Sequence, residues 1–214
     1  QEVLNDLPEL DKSMSELAKN DNATLTKPEG ALGRLEEVAW FFAGWQGTKK
    51  PRLEKIQIAI VAGSHGVSKQ GISAFPSEVT NQMVENFKNG GAAINQLARL
   101  FDAKLQVYAI DLDLPTNDFT EKPALTEQEC LDAINIGWNS VDPDSDLFLA
   151  GEMGIGNTTP AAAIAAALCG GGGTNWVGRG TGINDKTLEK KVEVVDKGLA
   201  KHAVGLVPPL KILQ

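Results

Sequence analysis

Apolar residues fall at three- and four-residue steps near the start of the chain, at Val3, Leu7, Leu10, Met14 and Leu17, which predicts a helix over residues 2–19. A polar stretch follows and closes in KPEGALG. Leu32, Leu35, Val38, Ala39 and Phe42 then repeat the pattern and predict a second helix over about 31–45. Gly44, Gly47 and the Lys49-Lys50-Pro51 segment break it. Beyond that point short Val/Ile/Leu-rich runs at 56–62, 104–110, 146–150 and 175–177 read as strands. Helical segments are expected near 78–100, 126–139, 157–168 and 185–202. Strand, helix, strand at this spacing predicts an α/β protein with a mostly parallel sheet flanked by helices. Strands without strict polar alternation fit burial on both faces.

Composition sharpens the picture in a few places. The chain has 214 residues, 42% of them hydrophobic, enough to bury a core and to exclude global disorder. Twenty Lys+Arg against 28 Asp+Glu give a formal charge of −8, which argues against nucleic-acid or anionic-membrane partners. A local anion site made of backbone amides stays open. No stretch reaches the ~18 apolar residues of a membrane span, and the N-terminal QEVLND lacks a basic or apolar signal region. Cys130 and Cys169 stand apart from any metal-ligand spacing and are expected to be free, buried thiols. A cytoplasmic, soluble protein without a metal is the expectation.

The 22 glycines, against a usual share of ~7%, matter through their placement. Three predicted strands run into glycine-rich turns: Gly63-Ser64-His65-Gly66, the segment from Gly151 to Thr159, and Gly178-Arg179-Gly180-Thr181-Gly182. In open α/β sheets ligands bind at the carboxyl ends of strands, so these turns are expected on one edge. In the second turn Thr158 or Thr159 is placed to N-cap the next helix, with Pro160 in its first turn. A helix start with close backbone approach at Gly154 and Gly156, beside Asn157, suits a phosphate or carboxylate. The turn is no Walker A loop, since no GK[ST] follows in register, and the third turn lacks dinucleotide-fingerprint spacing. Asn184-Asp185 can N-cap the last helix, whose Lys190 and Lys191, with Arg179, could add positive charge beside a phosphate. On the residues alone, two adjacent lysines read first as a solvated face. Glu152 at a strand end is a candidate base or hydroxyl anchor, or a salt-bridged structural residue. His65 is a ligand candidate or a structural turn histidine, and His202 a partner for its helix's C-terminal dipole. Ser77 can N-cap a helix on which Gln82 and Met83, with Phe75 before it, would line a pocket for a flat apolar ligand or simply pack.

The segments KPEGALGRLEE, GSHGVSKQGISAFPSEVTNQM, NFKNGGAAINQLA, GEMGIGNTT and GRGTGIND, in this order, closely resemble the nicotinate-nucleotide–dimethylbenzimidazole phosphoribosyltransferase family. Two departures are visible: Ser64 stands where the family usually has Asp, and KPEGALG replaces the commoner KPPGSLG. The resemblance implies transfer of a 5-phosphoribosyl group from nicotinate mononucleotide to 5,6-dimethylbenzimidazole, without a cofactor, in a homodimer. It implies phosphate and nucleotide contacts from Gly154, Gly156, Asn157, Thr158, Gly180, Thr181, Gly182 and Lys191. Phe75, Gln82 and Met153 would border the base, and Glu152 would sit near the ribose or attacking base. Two domains are implied: residues 1–47 as part of a small helical domain, and 48–214 as the Rossmann-like α/β domain.

The family continues well past the final VGLVPPLKILQ, and its general base is expected in that continuation. The chain is therefore expected to be an incomplete, weakly active or inactive form. A non-catalytic nucleotide- or base-binding protein derived from the family is the alternative.

Overall fold

The computed structural model describes residues 7–202 and 208–214, so Val3 of the predicted first helix lies outside it. The described chain divides into two compact units, residues 1–55 and 56–214.

The first unit holds helices α1 (Lys12–Ala23) and α2 (Arg34–Gln46). Helix α1 starts later than the apolar spacing predicts. Asp11 caps it instead, its Oδ1 accepting the N–H groups of Ser13 (2.9 Å) and Met14 (3.0 Å). Leu10 turns away and packs against Gly44, where a Cβ would lie 2.7 Å from Leu10 Cδ1. Between the helices, KPEGALG is a turn pinned by Glu36. That carboxylate is 7% exposed and accepts Lys27 Nζ (2.7 Å), Asn22 Nδ2 (3.2 Å) and the Leu32 amide (3.2 Å). The unit ends at Lys55 rather than at the Gly47 break. The Gln46 side chain holds the strap beyond that glycine, donating to Arg52 O (2.8 Å) and accepting from Arg52 N (3.0 Å).

The second unit is built on three parallel strands, β1 (Ile56–Ala62), β2 (Lys104–Ala109) and β3 (Leu147–Met153), in the order β2-β1-β3. Central β1 is buried along most of its length, as its unbroken apolar run demands. The predicted 78–100 helix splits into α3 (Val79–Lys88) and α4 (Ala93–Leu100) around Gly90-Gly91. Buried Asn95 closes that corner, donating to Phe87 O (3.0 Å) and accepting from Ala92 N (3.1 Å). Ser77 does not cap α3 with its side chain; Glu78 holds that position and Ser77 offers its carbonyl to Thr80 N. Helix α5 (Glu127–Ser140) leads to β3, and α6 (Thr158–Cys169) follows it.

The predicted strand at 175–177 is absent. Residues Gly173–Trp176 form one helical turn, α7, ahead of α8 (Asp185–His202) and the short α9 (Pro209–Ile212). Gly173 is the reason. Its N–H donates to Asp196 Oδ1 (2.6 Å), and an added Cβ would sit 2.6 Å from Val192 O, so the segment is clamped on α8 instead of joining the sheet. One core cluster joins Ile58 and Ile60 to Ala98, and another joins Val67, Ile72, Phe119 and Val194. Each such aliphatic side chain contributes about 1.5–3 kcal/mol on burial. Cys130 is buried as expected, whereas Cys169, at the end of α6, is exposed.

Candidate functional site

Strand β3 runs further than its sequence pattern suggests. Parallel pairing of Ile60 with Gly151, Val61 with Glu152 and Ala62 with Met153 draws those residues into the sheet, so the turn begins only at Gly154. There the chain passes hard against the β1 turn. A Cβ on Gly154 would lie 2.5 Å from Gly63 O and 3.0 Å from His65 Nε2, so only glycine fits. A β-turn follows, closed by Asn157 N donating to Gly154 O (3.1 Å), with Gly156 at φ +86° in its third position.

Helix α6 starts directly from this turn. Asn157 occupies the cap position without a side-chain cap bond, and Thr158 is the first helical residue, not the cap. Its hydroxyl has another role: it accepts from Lys191 Nζ at 2.6 Å. Lys191 reaches over from α8, is 2% exposed and also donates to Gly178 O (3.2 Å). Among the described residues no carboxylate pairs with it, and burial pulls its pKa below that of an ordinary lysine. Neighbouring Lys190 is exposed. Next to Thr158, Thr159 is fully buried and its Oγ1 has no partner among the described residues.

These elements enclose a cavity of about 270 Å³. Glu152, Met153, Gly154, Gly156, Asn157, Thr158, Gly180, Thr181 and Lys191 all line it, as does Arg179. Gly182 does not; at φ +92° it shapes the turn behind. Phe75 and Gln82 are exposed and off the wall. Ile72, Ser73, Ile155 and Ile183 complete the lining, apolar or small residues that carry no chemical signal in sequence. The Arg179 guanidinium is engaged with Asp185 and with Ile183 O (3.1 Å), so of the two lining cations Lys191 is the one with only neutral partners among the described residues. Asn184 caps α8 through Oδ1, which accepts from Thr187 N (2.9 Å).

Glu152 can be reached by solvent, yet the protein crowding its carboxyl raises its pKa. It also borders an apolar groove of about 410 Å³ that includes Met83 and Phe87. His65 is half-buried, its pKa lowered by burial, and forms the back wall of the Gly154 turn. Ser64 ties its turn to the end of β2 by donating to Leu112 O (2.8 Å). His202 lies in the last turn of α8, as expected for a dipole partner, and its Nε2 also donates to Phe119 O at 2.7 Å. Among the described residues no group of three or more His, Cys, Asp or Glu is placed to hold a metal ion, and no helix is long and apolar enough to cross a membrane.

A parallel sheet whose edge strand β3 runs into a glycine turn and a helix start, with a buried lysine of α8 reaching the same cavity, defines an α/β protein with a polar pocket at the carboxyl end of that strand. A phosphoribosyltransferase family model matches residues 7–214, and the chain belongs to that family. It is 53% identical over 212 residues to the nicotinate-nucleotide–dimethylbenzimidazole phosphoribosyltransferase of Cereibacter sphaeroides, covering 99% of this chain and 63% of that protein. Against the enzyme of that name from Roseobacter denitrificans it is 55% identical, covering 94% of this chain and 60% of the relative. A crystal structure of CobT from Thermus thermophilus superposes with a TM-score of 0.83 at 37% identity, over 94% of this chain and 66% of the other. The chain thus spans a little under two thirds of these curated relatives.

Proposed function

We propose that this chain carries the nucleotide-phosphate half of a phosphoribosyl-transfer site, acting on nicotinate mononucleotide with 5,6-dimethylbenzimidazole as acceptor, in formation of the lower ligand of cobalamin. The observation that carries the reading is Lys191 of α8: a cation 2% exposed, bonded among the described residues only to neutral oxygens, one of them the hydroxyl of the first residue of α6. A buried charge without a counter-charge is costly, and a phosphate in the cavity would supply one. Gly154, Gly156, Asn157, Gly180 and Thr181 would let the phosphate and ribose approach the backbone closely. Gly182 supports that wall from behind.

Departure of nicotinate builds positive charge on the ribose, and Glu152 at the cavity edge is placed to stabilise it. Met153, which lines the cavity, would border the base. Phe75 and Gln82 enter it as residues that a bound base would draw inward. The proton of the attacking nitrogen needs a general base, which is expected in the part of the relatives that this chain does not span. A homodimer belongs to the same reading: α2 leaves Leu35, Phe41 and Trp45 exposed, an apolar stripe suited to a protein partner.

Calorimetry with nicotinate mononucleotide, beside a turnover assay with dimethylbenzimidazole, tests the proposal. Binding of nicotinate mononucleotide supports the half-site, turnover beside it shows that the chain suffices for transfer, turnover still absent from a version extended to the relatives' full length favours the non-catalytic nucleotide-binding alternative, and absence of binding overturns both. Light scattering on the purified chain tests the dimer.

A further inference from the structure

We propose that Thr80 is a positioning residue for the anion cavity, acting through the Gly154–Asn157 turn without touching the ligand; the inference rests on the reading of that cavity as a phosphate site. Thr80 is 1% exposed, near the start of α3, an element that contributes no residue to the cavity wall. Its Oγ1 accepts the Ile155 N–H at 3.1 Å. Ile155 is itself buried and is the second residue of the turn that hands the chain to α6. A buried amide without an acceptor is costly, so this hydroxyl fixes which way the Gly154–Ile155 peptide faces. The N–H points to α3, away from the cavity, while the turn's own bond joins Gly154 O to Asn157 N. Gly63 O and His65 block Gly154 from behind, so the peptide cannot relax backwards. What remains is rotation of the amide, which would displace Gly156 and the Thr158 hydroxyl that Lys191 holds.

Two substitutions separate the hydrogen bond from packing. Thr80→Val keeps the volume and removes the acceptor; Thr80→Ser keeps the acceptor and removes a methyl. Affinities for inorganic phosphate and nicotinate mononucleotide are measured by calorimetry, with Ile155 amide exchange followed by NMR. Thr80→Val is expected to weaken both ligands roughly tenfold, the scale of one unsatisfied buried donor. Its Ile155 amide should exchange faster, whereas Thr80→Ser should stay within about twofold of wild type. Equal affinities for Thr80→Val and wild type would overturn the positioning role. So would Thr80→Ser failing as badly as Thr80→Val, which would make Thr80 a packing residue. If the wild-type chain binds neither probe, the phosphate reading itself falls and takes the inference with it. Loss confined to Thr80→Val convicts the turn alone.

Discussion

Among the described residues each unit buries charge, and the two units treat it in opposite ways. In the helical unit Glu36 is surrounded: a lysine, an asparagine and a backbone amide satisfy its carboxylate, and the Lys27 hydrogen bond holds its pKa below the usual range. In the sheet unit Lys191 meets only a hydroxyl and a carbonyl, and burial lowers its pKa. A buried charge that arrives with its counter-charge is part of the scaffold. One left with neutral partners at a cavity wall stores a demand that an anionic ligand meets.

The largest effect expected from breaking this contrast is at Lys191. Lys191→Met should weaken phosphate and nicotinate mononucleotide by about 100-fold, the scale of a charged hydrogen bond in a dry site. Its melting temperature should stay within about 3 °C of wild type or rise, because an unpaired buried charge has gone. A matching fall in stability, seen by calorimetric melting, would make Lys191 scaffold like Glu36.

Gly154→Ala comes next. The added methyl meets Gly63 O at 2.5 Å, a backbone atom that cannot step aside, so about 1–3 kcal/mol of stability should be lost in denaturant titration. Ligand affinity should fall with it. Glu36→Gln gives the mirror image of Lys191→Met: a lower melting temperature with phosphate affinity unchanged within about twofold, since a carboxamide cannot balance Lys27.

The pH responses separate the two charges by sign. Glu36 has a depressed pKa in the fold, so its contribution is present above the ordinary carboxylate pKa and is lost as pH falls through the folded value. Lys191 is depressed too, but as a base: the unfolded chain binds the proton more tightly. In the window between its folded and unfolded pKa values, raising the pH therefore stabilises the unliganded fold. Over that same window phosphate binding should weaken, because the ammonium is being lost. Calorimetric titrations across the alkaline range check this; phosphate affinity that holds until an ordinary lysine would titrate contradicts it. The smallest effect is at the edge of the site, where Phe75→Ala should leave nucleotide affinity within about twofold, the ring being half exposed and off the cavity wall.

Much of this was legible along the chain. Periodicity located α2, α5, α6 and α8 and all three observed strands, because each is a local pattern of one period. It failed where a long-range partner decided the outcome. The stretch 175–177 looks like a strand until Asp196 and Val192 clamp Gly173 on α8. Gly151 and Glu152 look like turn until β1 pairs with them. The 78–100 helix breaks where Asn95 closes the Gly90-Gly91 corner.

By itself the sequence determined the family, the parallel α/β plan and the glycine turns that end β1 and β3, since motif order and local propensity need no partner; the third glycine turn follows the helical turn α7 and not a strand. Tertiary structure alone decided that Lys191 is buried with only neutral partners among the described residues, that Thr158 is a hydroxyl for Lys191 rather than a cap, and that Thr80 stands behind the turn. Those outcomes depend on burial and on distances of about 3 Å between residues far apart in the chain, and no local pattern encodes them.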